Sequence, residues 1–202
     1  PEERDFVADY WRSGPIAAKP GLTATEMFEA LESGTLKALW VICTNPAVSL
    51  PNLPQVERAL KKAPFLVVQD ISSLSDTVAH ADVVLPAAGW LEKQGTMTNS
   101  ERRVTHVPKL LEPPGEALPD VEILCRFAEK MGWGDAFDYP DESAIFDEHC
   151  RLTEGTPIDM VGMSYARLKK SGSLQWPCPD PTHPGTPRLF TDHQFFTADQ
   201  RA

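Results

Sequence analysis

Five polar residues in this sequence have side-chain types and positions that suit ligand binding. Each of them closes an apolar run, lies in the loop beyond one, or opens an amphipathic helix. Amides and carboxylates form hydrogen bonds with sugar hydroxyls and with the edges of heterocycles, and an ammonium group balances phosphate charge. The five candidate binding residues are Asn45, Gln69, Asp70, Lys93 and Asp120.

Most of these residues also have a purely structural explanation. Asn45 precedes a proline, and this pair is a common turn signal. Asp70 could cap the turn after its strand, and Lys93 follows a glutamate, as in an exposed ion pair. Asp120 follows a proline at the start of a helix, where an N-cap carboxylate contributes about 1 kcal/mol. The residues alone leave both interpretations open.

Three apolar runs predict the strands that would position these side chains. The runs are continuous rather than alternating, which is typical of strands covered on both faces. The predicted strands cover 36–44, 65–69 and 82–85. With helices between them they indicate the α/β class: a doubly wound, mostly parallel sheet flanked by helices in an αβα sandwich. Such sheets bind ligands outside the carboxyl ends of their strands.

The rest of the sequence predicts helices and a polar loop around this sheet. Helices are expected over 24–33, 55–62, 120–131, 142–152 and 164–170. The long stretch beyond Pro86 is polar and is expected to be a loop. We divide the chain into an extended connector (1–20), an α/β cofactor-binding domain (21–172) and a proline-rich linker (173–202) toward a further domain. Because the sequence starts at Pro1, we expect it to be a piece of a longer protein.

Several classes of function are excluded or disfavoured by the composition. A net charge of -10 without a basic stripe argues against a nucleic-acid partner, and no apolar run is long enough to insert into a membrane. No GxGxxG or P-loop follows a strand, and neither a catalytic triad nor an HExxH motif is present. None of the four cysteines has CxxC spacing, which predicts buried, reduced thiols rather than a metal site.

The stretch ADVVLPAAGWLEKQGTMTNSERR, residues 81–103, carries a family resemblance. It resembles the signature of molybdopterin oxidoreductases of the dimethyl-sulfoxide-reductase superfamily. Other segments occur in the same order as in that family: TNPAVSLPN, then VVQD, then the signature, then PPGEALPD opening a helix. The resemblance is strong over residues 20–132 and looser beyond them. It implies a Mo-bis(molybdopterin guanine dinucleotide) cofactor, of which one arm would be bound by Asn45, Gln69, Asp70, Lys93 and Asp120.

Within that superfamily the chain is most similar to the assimilatory nitrate reductases. The segments ALWV, TNPAVS and QWPCP followed by HPGTPRLF carry this similarity. It implies an intact enzyme that reduces nitrate to nitrite in the cytoplasm, with electrons from ferredoxin or a nicotinamide- or flavin-linked reductase. A 4Fe–4S cluster and the molybdenum ligand would lie outside this chain, so no catalytic residue and no metal ligand is assigned within it and the fragment alone should be inactive.

Two alternatives remain open at this stage. Formate dehydrogenase catalytic subunits share the VVQD, signature and QWPC segments, so the substrate could be formate. The chain could also belong to a non-catalytic iron–sulfur subunit of an electron-transfer complex that kept the fold and lost the cofactor. Retention of Asn45, Asp70, Lys93 and Asp120 together speaks against the second alternative.

Overall fold

The computed structural model describes residues 2–201, and its helices and strands are distributed over the whole chain. The helices are α1 (Glu2–Trp11), α2 (Ala24–Glu32), α3 (Pro46–Ser49), α4 (Leu53–Lys62), α5 (Asp120–Lys130), α6 (Glu142–Leu152) and α7 (Tyr165–Ser171). The strands are β1 (Leu39–Ile42), β2 (Leu66–Asp70), β3 (Val83–Pro86), β4 (Gly95–Thr98), β5 (Arg103–Val107) and β6 (Leu174–Gln175). Among the described residues, no helix is long and apolar enough to cross a membrane.

Contacts divide the chain into two compact units. The first unit holds the residues up to 93 together with 110–137, and the second holds 94–109 together with the residues from 138 onward. The chain therefore leaves the first unit after Lys93, enters the second for sixteen residues and returns. The domain division of this chain expected at residues 20 and 172 stays a prediction.

A parallel sheet forms the centre of the first unit. Its strand order is β1-β2-β3, and both pairings are parallel, with Leu39 opposite Leu66 and Val67 opposite Val83. The α/β class with a parallel sheet flanked by helices is therefore confirmed. The three strands follow one another in a single direction, so the reversal of order that defines a doubly wound sheet does not occur among them.

Helices α2 and α4 supply the hydrophobic core on which this sheet packs. Leu31 of α2, Ala59 of α4, and Leu66 and Val68 of β2 have no exposed surface. A buried leucine side chain contributes roughly 1.5–3 kcal/mol. Helix α2 begins after Thr23 in a complete capping box, as its sequence predicts.

The second unit contains a small antiparallel sheet that the sequence did not predict. Strands β4 and β5 pair in antiparallel fashion with Thr98 opposite Val104, and β6 adds to β5. The expectation of a continuous polar loop beyond Pro86 is therefore wrong. The hairpin escaped prediction because Val104 is its one fully buried residue, so no apolar run marks it. Helices α6 and α7 pack their buried residues, including Phe146 and Leu168, into the same core.

The predicted conformation is wrong for residues near the start of the chain and agrees with the structure near its end. Residues of the predicted extended connector form helix α1, so the extended conformation is wrong there. Its side chains are mostly exposed, with Phe6 and Trp11 about half exposed, so little hydrophobic periodicity was available to predict a helix. In the proline-rich segment from residue 173, the regular structure is limited to β6 among the residues described.

Candidate functional site

The carboxyl ends of β1 and β2 and the start of α5 bring three side chains of the first unit together. Strand β1 ends at Ile42, and the N–H of Cys43 continues the pairing by donating to the carbonyl of Gln69 at 3.0 Å. Gln69 lies one residue before the end of β2, and Asp120 is the first residue of α5. Tertiary structure thus places Cys43, Gln69 and Asp120 in contact although they are far apart in sequence.

The carboxylate of Asp120 is the centre of this cluster. Its Oδ1 accepts a hydrogen bond from Nε2 of Gln69 at 2.7 Å and from Sγ of Cys43 at 3.1 Å. Its Oδ2 accepts from Nζ of Lys93, which also forms an ion pair with it. The side chain makes no capping bond to the helix, so the N-cap interpretation of Asp120 is wrong. The carboxylate still benefits from the positive end of the α5 dipole.

The Lys93–Asp120 pair is partly shielded from water, with 27% and 24% of the two side chains exposed. Burial raises the pKa of Asp120, but the hydrogen bonds from Lys93, Cys43 and Gln69 outweigh it, and the pKa lies below the usual value of 3.8. The carboxylate is therefore ionised at neutral pH. Cys43 is exposed as a residue, but partial desolvation of its thiol, followed by the hydrogen bond to Asp120, raises the pKa of Cys43 to about 11, so its thiol keeps its proton.

Gln69 has one polar atom without a partner. The residue is completely buried, its Nε2 bonds to Asp120, and its Oε1 has no hydrogen-bond partner among residues 2–201. Turning the amide around would place Oε1 against the ionised carboxylate of Asp120, so the observed orientation is the favourable one. An unpaired buried acceptor costs about 1–3 kcal/mol, and such costs concentrate where a protein meets a ligand.

The side chain of Asn45 is used within the chain. Its Oδ1 accepts hydrogen bonds from both the N–H and the hydroxyl of Thr77, and its Nδ2 donates to Asp76 at 3.1 Å. These bonds tie the loop after β1 to the segment between β2 and β3. Asn45 therefore does not join the cluster around Asp120, and its predicted contact with a cofactor stays a prediction.

Asp70 borders an open cleft in the first unit. Its Oδ1 accepts from the N–H of Ser72 at 3.1 Å. The cleft has a volume of about 410 Å³ and extends along the carboxyl ends of β2 and β3 to Glu92, whose carboxylate accepts from the N–H of Gly89. Its polar lining consists of carboxylates and serine hydroxyls, which accept hydrogen bonds from a neutral, donor-rich group.

The fold and this cluster define a binding domain, and comparison with known proteins identifies its family. Residues 7–130 match the molybdopterin oxidoreductase family. The match covers more than half of the chain and includes Cys43, Gln69, Asp70, Lys93 and Asp120. The chain belongs to the molybdopterin oxidoreductase family.

Similar proteins include both nitrate reductases and formate dehydrogenases. The chain is 43% identical to a nitrate reductase of Synechocystis sp. over 100% of its length and 29% of that protein. It is 42% identical to the assimilatory nitrate reductase catalytic subunit of Bacillus subtilis, over 100% of the chain and 28% of that protein. It is 46% identical to a formate dehydrogenase subunit alpha of Methanocaldococcus jannaschii, over 96% of the chain and 27% of that protein.

The chain spans less than a third of the length of these relatives. Among solved structures, acetylene hydratase from Pelobacter acetylenicus superposes with a TM-score of 0.60 at 22% identity, over 75% of the chain and 20% of that protein. At that identity the likeness concerns the fold, and it agrees with the parallel sheet and flanking helices described above.

Family membership implies a molybdenum–pterin cofactor, and the residues at the strand ends fit such a group. The pterin ring presents N–H donors, and the cluster offers a carboxylate that still has an unused lone pair on Oδ2. The same site holds one cation, Lys93, beside that carboxylate, where it can balance phosphate charge. The unpaired Oε1 of Gln69 shows that the cluster is not fully satisfied by the chain itself.

Cys43 is the residue of this cluster that the sequence did not single out. We expected it to be a buried thiol in an apolar strand, but it is exposed and lies just beyond the end of β1. Cys125 is half-buried, and Cys150 and Cys178 are buried as expected. Cys43 follows an apolar run and lies close to Asn45, which is the same signal that identified the other candidates. Because cysteine is itself apolar, Cys43 was counted as part of the run rather than as a polar residue at its end.

Proposed function

We propose that this chain binds one guanine dinucleotide arm of a Mo-bis(molybdopterin guanine dinucleotide) cofactor. Asp120 accepts an N–H of the guanine or pterin ring, and Asp70 accepts from the ribose hydroxyls or the ring in the cleft. Lys93 balances phosphate charge, and Gln69 orients Asp120. Asn45 binds at the edge of the site while ordering its loop. The observation that carries the proposal is the ionised Asp120 carboxylate held by donors from the residue after β1, from β2 and from the loop after β3.

The cluster supports a cofactor role because it is costly as a purely structural feature. It places an ion pair and an amide in partial burial, leaves the buried Oε1 of Gln69 unpaired, and provides no cap to α5. Replacing a buried ion pair by apolar residues of similar volume is often neutral or stabilising. A bound ligand gives the exposed side of the Asp120 carboxylate a further partner.

We propose further that the intact enzyme reduces nitrate to nitrite and is cytoplasmic. The bound molybdenum cofactor would supply two electrons for removal of one oxygen from nitrate, which with two protons leaves as water. Electrons would arrive through a 4Fe–4S cluster from ferredoxin or from a nicotinamide- or flavin-linked reductase. Two nitrate reductases that cover the whole chain at 42–43% identity support this substrate.

Formate oxidation is the second candidate reaction. A formate dehydrogenase subunit is 46% identical over 96% of the chain, which is close to the similarity with nitrate reductases. The full-length protein should be assayed with reduced viologen and nitrate, and separately with formate and an oxidised dye. Nitrate reduction without formate oxidation is the expected result, and formate oxidation without nitrate reduction would show that the substrate proposal is wrong.

A lysine substitution tests cofactor binding directly. We expect Lys93→Gln in the full-length protein to lower bound molybdenum and released guanine by at least about tenfold, since a charge-assisted contact contributes roughly 1.5–3 kcal/mol. Lys130→Gln, at the exposed end of helix α5, is the matched control and should retain wild-type content. The measurements are metal analysis and chromatography of acid-released guanine.

The outcomes of that experiment separate the classes of function. Wild-type protein without molybdenum and guanine would favour the non-catalytic iron–sulfur subunit. Equal content in Lys93→Gln and wild type would remove Lys93 from the cofactor site. A pterin released without guanine would keep the family assignment and reject the dinucleotide form.

A further inference from the structure

The hydrogen bonds around Asp120 use its two oxygens unequally. Each carboxylate oxygen has two lone pairs in the plane of the group. Oδ1 already accepts from Gln69 and from Cys43, whereas Lys93 is the one donor to Oδ2 among the residues that the structure describes. Oδ1 is therefore saturated by the chain, and Oδ2 has one position left. A ligand with two parallel N–H donors could not use both oxygens without displacing a donor of the chain.

We propose that Cys43 is a positioning residue of the cofactor site, which together with Gln69 holds Oδ1 of Asp120 so that Oδ2 alone accepts an N–H of the cofactor. The inference rests on the proposed function and deepens it, because it names the accepting atom. Cys43 acts through Asp120 and need not touch the cofactor. Gln69 alone would fix one direction of the Asp120 carboxylate. The Cys43 thiol supplies a second donor from the residue after β1, and the two donors together restrict rotation of the carboxylate.

The backbone at Cys43 supports this role. Its φ is 55°, in the left-handed region that glycine occupies with less strain than other residues. The conformation is held by the hydrogen bond from the N–H of Cys43 to the carbonyl of Gln69. Any side chain at this position therefore strains the local backbone. The hydrogen bond from the Cys43 thiol to Asp120 is the favourable contact that offsets this strain.

The protonation state of the thiol suits a permanent donor. With its pKa raised to about 11, Cys43 carries its proton throughout the neutral range. The charged groups that face it are Asp120 and Asp70, which favour the neutral thiol, and Lys93, which opposes them. Between the pKa of Asp120 and that of Cys43, the ionised carboxylate faces a protonated thiol that can donate to it, and a protonated thiol is a poor nucleophile toward alkylating reagents.

The first test compares three substitutions in the full-length protein produced at limiting molybdate. Cys43→Ala and Cys43→Gly remove the donor, and we expect bound molybdenum and released guanine to fall by about three- to tenfold, the effect of one lost hydrogen bond. Cys43→Ser keeps a donor and should remain within about twofold of wild type. Cys43→Gly also relieves the left-handed strain, so its loss of cofactor cannot be attributed to a less stable backbone.

The control is Cys125→Ala, which removes a half-buried thiol from α5 away from Asp120 and should leave cofactor content unchanged. Wild-type cofactor content in both Cys43→Ala and Cys43→Gly would overturn the inference while the proposed function stood. If the wild-type protein itself contains no guanine, the proposed function fails and the positioning role fails with it.

The second test uses cofactor-free full-length protein, so it does not depend on loading. Iodoacetamide labelling of Cys43, followed by mass spectrometry across pH 7–11, should be slow at neutral pH and accelerate toward pH 11. In Asp120→Asn the acceleration should begin at lower pH, because the charge and the hydrogen bond that favour the thiol are weakened, while labelling of Cys125 should not change. An identical pH profile for Cys43 in both proteins would contradict the Cys43–Asp120 contact.

Discussion

At the scale of single residues, Asp120 has two interpretations that its sequence position does not distinguish: a helix N-cap and a ligand-binding carboxylate. Its place at the first position of α5 suggested a cap, but its oxygens bind Gln69, Cys43 and Lys93 instead. A carboxylate in the first turn is stabilised by the helix dipole without capping it. The side chain is consequently free to connect α5 to the ends of β1 and β2.

This arrangement predicts an acid-dependent loss of local stability. The pKa of Asp120 in the folded state is below its usual 3.8, so its contribution is fully present above that pH and is lost as the pH falls through the lower, folded value. We expect Asp120→Asn to destabilise α5 by about 1–3 kcal/mol at pH 7. The difference from wild type should shrink below pH 3.8.

The measurement is hydrogen exchange of the α5 amides at pH 7 and pH 3, corrected for intrinsic exchange rates. Glu129→Gln, an exposed change on the same helix, is the control for altered helix charge. A difference between Asp120→Asn and wild type that stayed constant with pH would mean that the ionised carboxylate does not stabilise α5.

At the scale of secondary-structure elements, local sequence decided several boundaries. Helix α2 begins where Thr23 and Glu26 form a reciprocal capping box, in which Glu26 accepts from the N–H of Thr23 and the Thr23 hydroxyl accepts from the N–H of Glu26. Helix α6 begins after Asp141 and α7 after Ser164, both with side-chain caps. These caps are readable from sequence because each involves residues at most three positions apart.

Removal of the capping box should weaken α2 selectively. We expect Thr23→Ala to destabilise α2 by about 1 kcal/mol, because the N–H of Glu26 loses the Thr23 hydroxyl as its acceptor and the Glu26 carboxylate loses that hydroxyl as a donor. The readout is faster hydrogen exchange of the first-turn amides of α2. Glu29→Gln, an exposed change in the middle of the same helix, should leave that exchange unchanged, and an equal effect of both variants would exclude a specific capping contribution.

The segment 176–187 of the second unit is organised by arginines rather than by regular structure. Arg102 donates to the carbonyls of Trp176, Thr186 and Pro187. Arg167 donates to the carbonyls of Gly162, Asp180 and His183. Proline-rich backbone lacks N–H donors and leaves carbonyls to be paired by side chains. The two guanidinium groups therefore donate the hydrogen bonds that a neighbouring strand would otherwise donate to these carbonyls.

We expect Arg167→Met to loosen this segment by roughly 2–4 kcal/mol, since three carbonyls lose a charged donor while the apolar stem of the side chain is kept. Limited proteolysis should cut the segment 176–187 faster in this variant. Arg188→Met, an exposed change just beyond the segment, serves as the control. Equal cleavage rates in the two variants would show that the arginine does not hold the segment.

At the scale of the whole molecule, each of the two units has its own core. The first is built on Leu31, Ala59, Leu66 and Val68, and the second on residues that include Val104, Leu168 and Cys178. The chain crosses between the units only after residues 93, 109 and 137. A defect confined to one core should therefore affect the local stability of that unit first.

Gly162 offers a defect of that kind. A Cβ atom at this position would lie 2.1 Å from the carbonyl oxygen of Asp180 and 2.7 Å from that of Cys178. We expect Gly162→Ala to destabilise the second unit by roughly 3 kcal/mol, because backbone must move to admit the methyl group. Gly21→Ala, where nothing lies within 4 Å, is the control.

Hydrogen exchange across the full-length protein distinguishes the possibilities for Gly162→Ala. Loss of protection in α6, α7 and β5, with unchanged protection in β1 and β2, is expected. Equal loss of protection in the strands of both units would indicate that the molecule unfolds as one cooperative body. No loss of protection in either unit would mean that the backbone around Asp180 moves aside for the methyl group without a measurable cost.

Local patterns predicted most elements of the first unit and misjudged part of the second. The strands around 36–44, 65–69 and 82–85 are recognisable because each is a continuous apolar run, although burial is greatest in β2 and Val83 and Val84 of β3 stay partly exposed. Strands β4 and β5 bury little beyond Val104, and α1 exposes Phe6 and Trp11, so neither has a periodic signal. The capping box of α2 marked the start of that helix, and Pro119 and Gly132 marked the two ends of α5.

The sequence by itself determined the family, the parallel strands and the set of polar residues at their ends, because these depend on local order and short-range pattern. Only the tertiary structure decided what those residues do to one another. It brings Gln69, Lys93 and Asp120 together, directs Asn45 to Thr77 and Asp76 instead, and adds Cys43 to the cluster. The physical reason is that hydrogen-bond partners 27–77 positions apart are chosen by how strands and helices pack, which no local pattern encodes.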